Sequence, residues 1–81
     1  MDIKKILEIA KKVKISEKDI EAIIEYLEYD EWGIAFEILC SAIISDNIDV
    51  SNQEYVEIKE IGEYMKMDKQ LWEFIKIQSD K

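Results

Sequence analysis

Nineteen carboxylates, eleven basic side chains, one thiol at Cys40 and no imidazole are the groups with which this 81-residue chain could do chemistry. The absence of histidine removes the commonest general base near neutral pH and the commonest metal ligand together. Catalysis by Ser/His/Asp or Cys/His constellations is excluded. A structural zinc site would have to be assembled from a single cysteine and carboxylates, whereas such sites are ordinarily built from several Cys and His ligands. Carboxylate-only hydrolysis would need two acids paired in a cleft, and no spacing here marks such a pair. The residues predict a binding protein that is not an enzyme and holds no cofactor and no metal.

What remains is electrostatics. The formal net charge is −8, and it is unevenly spread. Residues 1 to 18 hold six lysines against three acids, residues 59 to 81 balance five against five, and from Asp19 to Ile58 there are eleven acids with no lysine or arginine. Glu21, Glu25 and Glu28 are spaced to share one side of a helix and lead into Asp30 and Glu31 at a corner. Glu37 follows on the next helix, and a loop adds Asp46 and Asp49. Acids on a helix surface ordinarily serve solubility, and for any one glutamate that reading suffices. The bare run carries more, since like charges at helical spacing cost a few tenths of a kcal/mol per pair. A basic partner converts that cost into attraction and speeds association.

Direct binding to nucleic acid is disfavoured, because displacing counterions from phosphates takes lysine and arginine. The N-terminal lysines interleave with an apolar stripe and read as a solvated helix face. A protein with a basic, nucleic-acid-binding groove is the fitting partner. Tyr26, Tyr29 and Trp32 flank the acidic corner, and such aromatics often anchor interfaces; Tyr29 is expected to be exposed, while Trp32, Phe36 and Trp72 are assigned to the core. The predicted partner-binding set is Glu21, Glu25, Glu28, Tyr29, Asp30, Glu31, Glu37, Asp46 and Asp49. Cys40 lies in an apolar helix and reads as a buried, unreactive thiol.

The elements that must position these residues are helices. Proline is absent and only Gly33 and Gly62 are glycines, so hairpin punctuation is missing. A chain of this length buries one modest core. The expected fold is all-α, a single domain built as a compact bundle of four to five short helices. Ile3, Ile6, Leu7, Ala10 and Val13 mark a first helix over residues 2 to 13. Ser16 caps a second, with Asp19 in the capping-box position and Ile20, Ile23, Ile24 and Leu27 as its buried stripe. Asp30 is expected to cap a third, running to Ser45, apolar nearly all round and therefore central. Its one polar strip is Gly33, Glu37, Ser41 and Ser45, facing solvent or a partner. Asp46 to Val50 reads as a loop. Ser51 and Glu54 form a second capping box for a fourth helix, with Tyr55, Ile58, Gly62 and Met65 on one side and Gly62 permitting a close helix contact. Asp68 is expected to cap a fifth, with Leu71, Trp72 and Ile75 inward and the last residues frayed. No run reaches the roughly 20 apolar residues that span a bilayer, and the charged N-terminus lacks a signal-peptide core. With a lone cysteine, this predicts a cytoplasmic protein.

The stretch EWGIAFEILCSAI, Glu31 to Ile43, resembles a segment of the MafI family of immunity proteins. The likeness continues through DNIDVSNQEY, EIKEIGEYMKMD and the tryptophan segment LWEFI, covering residues 24 to 77, about two thirds of the chain. The resemblance implies a small cytoplasmic antitoxin of a contact-dependent growth inhibition or polymorphic toxin system. Such a protein binds one cognate toxin domain, often an RNase of the EndoU type, in a heterodimeric complex. The implied partner is thus basic, as the acidic middle suggests on its own. The resemblance supplies no binding residues. The alternative from another class is an acidic helical adaptor or regulatory module unrelated to toxins.

Overall fold

A computed structural model describes residues 4–78 and places four α-helices along the chain, joined at the end by a two-stranded ribbon. Helix α1 (Lys5–Val13) buries Ile6, Ile9, Ala10 and Val13. Ile9 replaces the half-buried Leu7 in the predicted stripe, and Ile3, with the predicted start at residue 2, lies outside the described residues. Helix α2 (Glu17–Glu28) starts where Ser16 accepts a hydrogen bond from the Asp19 N–H at 3.2 Å. Asp19 completes no reciprocal box; its carboxylate accepts the Ser16 hydroxyl instead. Ile23 is fully buried and Ile20 and Leu27 are half-buried, but Ile24 is 36% exposed, a correction to the predicted stripe. It sits on the margin beside Glu28, where the packed face of α2 has already turned away.

Helix α3 (Trp32–Ser45) is the centre, burying Ala35, Phe36, Leu39, Cys40, Ala42 and Ile43. Asp30 does not cap it. That residue adopts a left-handed backbone, φ 59°, and closes α2, leaving Glu31 at the N-cap of α3 without a side-chain cap bond. The predicted loop after α3 is only partly a loop. Asp49–Val50 forms strand β1, pairing in parallel with β2 (Lys76–Ile77), and the Val50 carbonyl accepts from Gln78 N–H at 2.7 Å.

Helix α4 (Asn52–Tyr64) carries the predicted capping box complete: Ser51 Oγ accepts from Glu54 N–H at 3.0 Å, and the Glu54 carboxylate accepts from Ser51 N–H at 2.9 Å. Ser51→Ala is expected to cost about 1 kcal/mol in urea unfolding, the usual worth of a hydroxyl cap. The fifth helix is a correction: Asp68 caps a single 3-10 turn, Lys69–Leu71, accepting from Gln70 N–H at 3.0 Å. The chain then turns to deliver β2 to β1, which a continuing helix could not do. Trp72 and Ile75 are nonetheless buried and Leu71 half-buried. The Trp72 ring meets Phe36 edge-on, centroids 5.9 Å apart, and lies over Gly62, where a Cβ would fall inside the indole. The close approach at Gly62 is thus to a ring rather than to a helix. The predicted fraying of the last residues concerns residues 79–81, which lie outside the described part.

Each of the four α-helices ends in the same way, without glycine. Lys14, Asp30, Asn47 and Lys66 each take a left-handed φ between 57° and 63°. The next residue donates its N–H to a carbonyl five positions back: Ile15 to Ala10, Glu31 to Tyr26, Ile48 to Ile43, Met67 to Gly62. This geometry satisfies the carbonyls that a helix end orphans, and the residue after the turn commonly packs back on the helix. Ile15, Ile48 and Met67 are apolar and buried or half-buried in that role. At the α2–α3 corner the same position holds Glu31, exposed.

Candidate protein-docking surface

That corner gathers four of the nine predicted partner-binding residues. Glu28 ends α2, Tyr29 and Asp30 make the turn, Glu31 precedes α3, and all four are exposed. Tyr29 is 71% exposed, as its place beyond the α2 stripe predicts. Trp32 corrects the sequence assignment: it is 44% exposed, not core. It shares a helical face with buried Phe36, but it occupies the first turn of α3, beyond the end of the core. Phe36 and Trp72 are core as predicted.

Two grooves meet at Trp32 and share Asp30. One, of about 470 Å³, runs toward α1 and is floored by Leu7, Ile24 and Leu27. The other, of about 390 Å³, runs toward the end of α4 and is walled by Tyr64, Met65 and Met67. Tyr64 is 61% exposed and was not singled out by the sequence, because it lies off the apolar stripe of α4 and joins the corner only through the chain's return. The surface therefore presents Tyr29, Trp32 and Tyr64 among Glu28, Asp30 and Glu31. Aromatic anchors rimmed by charge are the composition of protein-binding hot spots.

The other predicted residues are dispersed. Glu21 and Glu25 extend along α2 on its exposed side. Glu37 and Asp46 line a separate groove on the outward side of α3, with Asp19. The predicted polar strip divides accordingly, since Ser41 and Ser45 line that groove while Gly33 is half-buried beside Met67. Asp49 lies on β1 with Lys76 as its register neighbour, remote in sequence but not in space. Basic residues from both ends thus approach the acidic middle: Lys5 pairs with Glu57 at 3.7 Å, and Lys4 lines the first groove with Glu28 and Asp30. No acid of the predicted set forms an ion pair with a described residue.

Cys40 is buried, and its thiol is pushed up to about 12, first by desolvation and then by the Glu37 carboxylate. A raised folded value keeps the thiol neutral and stabilising below the unfolded value of 9.0, and that stability is lost as pH rises through about 12. A thiol reagent at pH 8 is expected to label Cys40 at the unfolding rate; rapid stoichiometric labelling of the folded chain would contradict its burial. Among the described residues no three metal-ligating side chains stand together, and no helix is long and apolar enough to cross a membrane. Compared with protein-family models, with curated proteins and with solved structures, the chain has no significant match to any of them.

Proposed function

We propose that this chain is a cytoplasmic immunity protein that binds and neutralises a basic nuclease toxin, of the EndoU-like RNase class, and performs no catalysis itself. The observation that carries this reading is the α2–α3 corner, where Tyr29, Trp32 and Tyr64 stand exposed among Glu28, Asp30 and Glu31. An isolated domain gains nothing from solvating three large aromatics. Glu31 strengthens the reading, since it holds the post-helical position that the other three helix ends fill with Ile15, Ile48 and Met67. A local rule of folding is broken there, which is typical of a surface kept for a partner.

In this mechanism the aromatics seat against the toxin, and the carboxylates take positions that would otherwise hold RNA phosphates. Glu21 and Glu25 extend the negative field along α2 and steer the encounter. Association is therefore expected to slow by about tenfold or more between low salt and roughly 0.5 M salt, because the Debye length shrinks from about 10 Å at 0.1 M. A salt-independent on-rate in stopped-flow mixing would exclude the acidic side as the docking surface. Occlusion of the substrate groove is tested with a dinucleotide: the complex is expected to be inert toward it, and full cleavage would place the contact away from the active site. Binding without protection of cells would favour the adaptor reading.

A further inference from the structure

Helix α3 is apolar nearly all round, yet one of its sides is left uncovered. Ile34, 39% exposed, and half-buried Ile38 floor a groove of about 360 Å³ together with Ala42. Ser41 and Ser45 continue the line. The spacing 34, 38, 41, 45 keeps all four on one side of the helix over about 17 Å, or three turns. The rim is acidic: Asp19 at the start of α2, Glu37 in mid-helix and Asp46 at the end of α3 line this groove, and among the described residues no basic one does.

We infer that the α3 groove receives an amphipathic, lysine- or arginine-bearing helix of the protein partner, a second contact that deepens the docking reading above and rests on it for the partner's basic character. Apolar side chains at 3–4 spacing would lie over Ile34 and Ile38, and the flanking cations would meet Glu37 on one side and Asp19 and Asp46 at the ends. This is helix-in-groove recognition, in which apolar anchors give affinity and flanking charge gives orientation. A second copy of this chain is a poor occupant, because two chains of net charge −8 would bring like rims together.

The test is a titration of the 15N-labelled full chain with a synthetic helical peptide of about fourteen residues, leucine at 3–4 spacing and lysine elsewhere. Amide shifts are expected at Asp19 and along Ile34 to Asp46. Glu37→Lys combined with Asp46→Lys is expected to weaken binding about tenfold or more, while Glu60→Lys combined with Glu63→Lys, an equal charge change at exposed acids of α4 outside the groove, weakens it less than about threefold. Shifts centred on Tyr29 and Trp32, equal weakening by both pairs, or no binding would overturn the inference. Co-expression with the toxin separates this result from the broader reading. Wild-type protection kept intact in the Glu37/Asp46 variant sinks the groove contact alone, and no wild-type protection beside a peptide seated in the groove sinks the immunity reading alone.

Discussion

Trp72→Ala is expected to remove about 3–5 kcal/mol of stability, a large share of what a domain of this size holds. Domains of this size hold roughly 0.05–0.15 kcal/mol per residue. Trp72 is 3% exposed, stacks edge-on against the fully buried Phe36 and covers Gly62, so its loss opens a cavity in the core. Gly62→Ala makes the sharper companion test. In the middle of a helix alanine should gain about 0.5–1 kcal/mol over glycine. Here the added methyl would sit inside the Trp72 indole, which is boxed in by Phe36, and the net effect is expected to be a loss of about 2 kcal/mol. The double variant, Gly62→Ala with Trp72→Ala, is expected to cost less than the sum, because the methyl partly fills the space the ring vacates. Urea unfolding of the three variants checks both signs; a stabilised Gly62→Ala chain would mean the ring does not rest there.

Trp32→Ala is expected to weaken toxin binding by about thirtyfold or more, near 2 kcal/mol, while moving the unfolding midpoint little. Trp32 is partly exposed and stands at the meeting point of two grooves, so it can contribute to a complex what it does not contribute to the isolated fold. Glu31→Leu separates stability from function at the same corner. It restores the apolar residue that follows the other three helix ends, and is expected to raise stability by about 0.5–1 kcal/mol while weakening toxin binding. Calorimetry on the complex and thermal unfolding of the free chain read the two effects separately. Loss of stability with unchanged affinity in either variant would assign the corner to the fold instead of the interface.

Much of the helical frame is legible in the sequence, for reasons that individual residues make plain. The Ser51–Glu54 box announces α4 because both of its hydrogen bonds are local, and the all-round apolarity of α3 announces a central helix. The helix ends are less legible. They are made by Lys14, Asp30, Asn47 and Lys66 in left-handed backbone, and a lysine in that conformation leaves no mark in composition. Asp30 was readable as a helix starter because aspartate caps helices; it acts as a helix stopper because Glu31 reaches back to Tyr26. The ribbon of β1 and β2 is invisible locally, since two residues on each side pair only after the chain has crossed the whole domain. At the candidate surface, Tyr29 and its neighbouring acids could be read from the turn. Trp32 and Tyr64 could not, as their exposure depends on where the core stops rather than on helical phase.

Growth of cells that express the toxin domain that the immunity reading expects to be encoded beside this chain, with and without the chain, tests the account most directly. Protection by the wild type, co-purification of a one-to-one complex, and loss of both on Trp32→Ala combined with Glu31→Lys are the expected results. No protection and no complex from the wild-type chain would contradict the immunity reading.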